Sequence, residues 1–124
     1  MIDFVLNGRQ LDISTVELLG QALDVADSEK SFKLSVAVPG GPTMVMLRNE
    51  ANAWLMYFRE QEDAGFRSSD DTGRQGDASF TLGNGQVDTY PLSYCIDVEQ
   101  CYKAVAYFCV NEGAKPKWVS WVNC

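Results

Sequence analysis

The sequence predicts an α+β domain: a mostly antiparallel sheet of about six strands with two helices packed on one face. Three observations lead there. Apolar residues alternate with small or polar ones from Phe32 to Val38, the period of a half-buried strand. Apolar stripes recur at helical spacing at Val16, Leu19, Ala22, Leu23 and Ala26, and again at Val98, Cys101, Tyr102, Val105, Phe108 and Cys109. Asn7-Gly8, Pro39-Gly40-Gly41-Pro42 and Gly83-Asn84-Gly85 punctuate the strand segments closely enough for antiparallel neighbours.

Taken in order, Ile2 to Leu6 is a short apolar run that Asn7-Gly8 closes, a first strand. Ser14-Thr15-Val16-Glu17 fits a capping box, with Ser14 as N-cap and Glu17 reaching back, and opens a helix over 15–27. Asp24, Asp27 and Glu29 stand at its far end, where acids oppose the helix dipole, which suggests a role in solubility or in meeting a partner. After the strand through Val38 the chain turns at Pro39 and returns as Thr43 to Leu47; Arg48 to Asn52 is a second polar turn. Ala53 to Arg59 is apolar on both faces, predicting a central strand with helix over one side. Trp54, Tyr57, Phe58 and Phe66 are core or contact aromatics, and Trp54 and Phe58, on one strand face, are placed in the core.

From Glu60 to Asp77 the composition becomes acidic, with a short strand around Phe66 and a polar loop from Ser68 to Gly76. Ala78 to Leu82 and Gln86 to Tyr90 form a hairpin about Gly83-Asn84-Gly85. Asp97 caps the second helix, with Gln100 completing a D-x-x-Q box; the helix runs to about Glu112, Gly113 stops it and Pro116 prevents its restart. Trp118, Val119, Trp121 and Val122 make a last strand, whose two indoles face opposite sides unless a bulge intervenes.

The 124 residues fit one domain, 1–124, and 46% apolar content is enough for one core. No apolar run approaches the ~20 residues of a membrane span. The start, MIDFVLNGRQLD, lacks a basic region followed by an apolar stretch, so a cytoplasmic protein is expected. Two disulfides are possible by parity among Cys95, Cys101, Cys109 and Cys124, but without an export signal free thiols fit better. A net charge of −7, from 17 acids against 10 bases, argues against a nucleic-acid ligand and suits solubility or a basic partner.

The absence of histidine removes Ser-His-Asp and Cys-His catalysis and most zinc chemistry. Gly83-Asn84-Gly85-Gln86 lacks a phosphate-loop pattern and precedes a strand. Asp70-Asp71 with Asp77 offers oxygen ligands for a hard cation, yet the spacing is not that of a calcium loop. The residues therefore point to binding and not to catalysis, with no cofactor and no metal. An enzyme using paired carboxylates and a metal, and an acidic adaptor module that binds some other protein, remain as the other classes.

The second half carries a more specific pattern. Gly65-Phe66, then Leu82-Gly83-Asn84-Gly85-Gln86-Val87-Asp88-Thr89-Tyr90-Pro91, then the helix over 98–112, then Gly113-Ala114-Lys115-Pro116-Lys117-Trp118-Val119-Ser120-Trp121 follow in order. This arrangement resembles the immunity family numbered first among those of bacterial polymorphic toxin systems, whose members are paired with deaminase toxins. The resemblance spans residues 53 to 121. It implies an α+β domain that binds a co-encoded nucleic-acid deaminase and blocks its zinc pocket or substrate groove. The chain has neither H-x-E nor P-C-x-x-C, so it is not the deaminase itself. An acidic surface suits a basic toxin groove. The partner-binding residues expected on that ground are Glu62, Asp63, Arg67, Asp70 and Asp71, in the acidic 60–77 segment.

Overall fold

In the computed structural model, which describes residues 2–70, 72–82 and 84–124, the first half of the chain builds most of one antiparallel sheet. Strand β1 (Asp3–Leu6) turns at Asn7-Gly8, both at positive φ, into β2 (Arg9–Leu11). β2 was not expected, because three residues are too few to show a period. Asn7 also receives the Lys33 N–H on its side-chain oxygen at 2.9 Å and so extends the pairing of β1 with β3. β3 (Ser31–Ala37), β4 (Thr43–Asn49) and β5 (Asn52–Phe58) form the meander that the turns predict, with Ala37 opposite Thr43 and Asn49 opposite Asn52. β6 (Phe66–Ser68) and β9 (Trp121–Asn123) complete a seven-stranded sheet in the order β2-β1-β3-β4-β5-β6-β9.

β4 and β5 lie inside this sheet and are covered on both faces. On one side α1 (Val16–Glu29) and α2 (Val98–Val110), the latter with Phe108, close over Phe4, Leu34, Met46 and Leu55, all fully buried. On the other side lies the hairpin of β7 (Asp77–Thr81) and β8 (Val87–Pro91). It is a separate two-stranded sheet and not part of the main one. The reason is edge availability: β6 takes the free edge of β5, and β9 takes the edge of β6. The hairpin instead lays its apolar face, with Ala78, Phe80 and Tyr90, over Val45, Leu47 and Trp54. Trp54 packs against the neighbouring rings of Tyr90 and Tyr94, at 4.7 and 5.1 Å. Phe58 shares that face of β5 but is only half-buried.

The helix boundaries depart slightly from the sequence expectation. Thr15, not Ser14, caps α1: its hydroxyl accepts the Leu18 N–H at 3.1 Å. The Ser14 N–H is taken by Asp12 at 2.9 Å, which places Ser14 in the preceding turn. α1 continues to Glu29 and ends on Lys30 at φ 62. Asp97 caps α2 as predicted, accepting from Glu99 N–H, whereas Gln100 holds the indole N–H of Trp118 at 3.1 Å. Gly113 takes φ 91, and a Cβ there would come within 2.8 Å of Val38. Tyr57 then donates to the Gly113 carbonyl at 2.7 Å, tying the end of α2 to β5.

The last strand is shorter than expected. Only residues from Trp121 pair with β6, while Trp118 and Val119 lie in the turn before it. The two indoles diverge accordingly: Trp121 packs on Tyr57 at 6.1 Å and Trp118 on Tyr107 at 5.2 Å. All four cysteines are free thiols, with Cys95 and Cys101 buried, Cys109 half-buried and Cys124 exposed. No helix is long and apolar enough to cross a membrane.

Candidate functional site

The acidic 60–77 segment does not form one patch. Its first acids sit in the turn that follows β5, beside the Pro39-Gly40-Gly41 turn, where Glu62 and Asp63 line a shallow hollow with Phe58 and Thr43. Asp70 lines another hollow with Ala51, Arg74, Cys95 and Asp97, at the start of β5. Seven residues of β5 separate the two ends, roughly 20 Å at the usual rise of a strand.

The expected contact residues differ in what they are free to do. Glu62 is exposed, at φ 70. Asp63 is committed to its own turn: it accepts from the Arg59 backbone N–H at 2.8 Å and from the Arg59 guanidinium at 3.0 and 2.9 Å. Those bonds hold its carboxyl well below the ordinary value of 3.8, and only 8% of its side chain is exposed. The Arg67 guanidinium lies 4.0 Å over the Tyr94 ring, on the hairpin side of the sheet. Asp70 accepts the Thr72 N–H at 2.9 Å, which lowers its pKa, and its own N–H donates to the Ser93 carbonyl. Asp71 lies outside the described residues, as does Gly83 of the hairpin motif. Among the described residues no three His, Cys, Asp or Glu side chains come together to hold a metal ion.

A second candidate surface lies on the helix face. The end of α1 meets the first half of α2 at Asp27 and Tyr102, whose hydroxyl donates to the carboxylate at 3.2 Å. Between them the Arg48 guanidinium, 9% exposed, donates to Asp27 at 2.7 Å, to Tyr102 at 2.8 Å and to the Glu50 carbonyl at 2.7 Å. Asp27, assigned from sequence to solubility or a partner, therefore serves the fold, and Glu29 pairs with Arg9 at 3.7 Å. The helices run antiparallel and are clamped at this end. At the other end a cleft of about 900 Å³ opens between them, lined by Leu11, Ile13, Val16, Leu19, Cys109 and Val110, with Asp12 and Glu112 among its edge residues.

Apolar exposure concentrates beside that cleft. Val16 is 72% exposed and Val110 62%, although both are helix residues that a core would absorb. Tyr107 lies one turn before Val110 on α2, and Trp118 stands edge-on against Tyr107, with 47% of its surface exposed. The sequence contained a signal for this band. Tyr107 and Val110 are apolar yet fall off the buried stripe of α2, which is Cys101, Ala104, Val105 and Phe108.

Set against known protein families, residues 7–123 match the one described as Immunity protein Imm1, nearly the whole chain. The chain belongs to this immunity protein family. The resemblance carried by Gly65-Phe66, the hairpin, α2 and Trp121 is thereby extended to the first half, which had no recognisable motif. No curated protein matches the chain. Membership gives the immunity protein a cognate toxin as its partner, so a protein-binding surface is the functional site to be sought.

Proposed function

We propose that this immunity protein binds a nucleic-acid deaminase toxin and neutralises it by covering the active site or the substrate groove. The observation that carries the reading is the charge: −7 on a member of an immunity family. An enzyme that acts on nucleic acid presents Lys and Arg to phosphates, and an acidic protein of this size complements such a groove and is steered to it. The deaminase class rests on the resemblance over residues 53–121, and the acidic segment supplies part of the contact. Glu62, Asp70 and Asp71 face the partner in this reading, while Asp63 and Arg67 hold the segment in shape.

Co-expression tests it. Cells producing the cognate toxin domain should survive only with this protein present, and deaminated bases in their nucleic acid should fall to background. Survival together with undiminished deamination would overturn inhibition by occlusion. A toxin that leaves no deaminated base in unprotected cells would overturn the deaminase class.

A further inference from the structure

We infer that the cleft between the start of α1 and the end of α2 is the anchoring pocket for the toxin, and that it receives an apolar segment flanked by Lys or Arg. The inference rests on the immunity reading and adds the place and chemistry of contact.

Three observations converge. The cleft is built open: Arg48, Asp27 and Tyr102 join the helices at one end, and among the described residues no side-chain hydrogen bond or ion pair joins them at the other. Its floor is apolar, from Leu11, Ile13, Leu19 and Cys109, and Val16 and Val110 stand at its edges. Secondly, the apolar surface continues outward from Val110 to Tyr107 and Trp118, and the Trp118 indole is already fixed by Gln100 and by the Tyr107 ring. Exposed Tyr and Trp side chains with preset rotamers are the residue types that anchor interfaces, because little freedom is lost when they are covered. Of seven large apolar side chains left exposed among the described residues, these four form the one band.

Charge then selects the occupant. The cleft lining includes Asp12 and Glu112 but no Lys or Arg, and Glu17 lies in the adjoining first turn of α1. A segment carrying a base beside its apolar side chains satisfies both features. A second copy of this chain does not, since it brings another −7 and the same acids to the same place. Lys103 and Lys117 lie toward the Trp118 end, so the preference for a base belongs to the cleft.

The test uses the full-length protein and the purified cognate toxin domain, with affinity measured by calorimetry. Val16→Asp and Val110→Asp alter exposed side chains, so their melting curves should match the wild type; each should weaken toxin binding by about tenfold or more. Val87→Asp, at an equally exposed position on the hairpin, should bind as the wild type does. Asp12→Asn with Glu112→Gln should slow association and reduce its salt dependence. In the complex, alkylation of Cys109 should slow relative to the free protein. Unchanged affinity in both valine variants, with wild-type binding intact, would overturn the cleft and leave the toxin reading standing. Loss of all binding by the wild type would overturn both. A wild-type dimer in sedimentation that Val110→Asp dissolves would assign the cleft to a second copy and overturn the inference.

Discussion

Arg48 shows how one residue decides the shape of a layer. Its guanidinium is nearly enclosed at the foot of both helices and satisfies a carboxylate, a phenol and a carbonyl. Arg48→Met should cost about 1–3 kcal/mol, the usual range for losing charge-assisted bonds, measured by denaturant unfolding. The acids that accept such bonds link stability to pH. Hydrogen bonds from Arg48 lower the pKa of Asp27, and those from Arg59 lower that of Asp63. A group whose folded pKa is depressed stabilises the fold above its unfolded value and loses that contribution as pH falls through the folded one. Melting temperature should therefore decline as pH drops below the ordinary aspartate value of 3.8, and less steeply in Asp63→Asn. Thiols follow burial in the same way. Burial raises the Cys109 thiol to about 12 and raises Cys101 as well, so Cys124, exposed at the terminus, should take up an alkylating reagent first.

At the scale of elements, turns are as decisive as strands. Gly65 takes φ 81 where the chain enters β6, and a Cβ there would lie 2.6 Å from Phe58 and 2.7 Å from the Tyr57 carbonyl. A carbonyl inside β5 has little room to move, so Gly65→Ala should destabilise by about 2–4 kcal/mol in thermal or denaturant melts. Trp121 anchors the last strand: its indole donates to the Pro116 carbonyl at 2.8 Å and its ring meets Tyr57. It is half-buried, so Trp121→Ala should cost about 2–3 kcal/mol, below the range of a fully enclosed Trp. The strands, turns and helices were largely legible, because alternation in β3 and stripes in both helices report burial directly. The position of the hairpin was not. Alternation tells that β7 and β8 pair, but not whether they extend the main sheet or lie across it.

Over the whole molecule, the proposed complex gives net charge and apolar exposure separate parts in association. In the proposed complex, surface acids would steer encounter, an influence that fades with salt, and the apolar cleft would govern how long the complex lasts. Charge reversal at Glu62 or Asp70 should slow association several-fold at low salt, with little effect near 1 M salt, as stopped-flow mixing with the toxin would read. Because these two residues lie at opposite ends of β5, a response to both would mean that the toxin spans that strand's length.

Sequence by itself determined the α+β class, the two helices with the Asp97 cap, and the family pattern of turn, helix and terminal Trp, since each depends on neighbours within a few residues. It also determined the excess of acids. Tertiary structure alone decided that the acidic segment divides between two hollows, that Asp27 belongs to a buried arginine, and that the helices part at one end to leave a cleft. Those outcomes depend on which side chains meet across the sheet, as Arg48 meets Tyr102 from 54 positions away, and no local pattern encodes such a meeting.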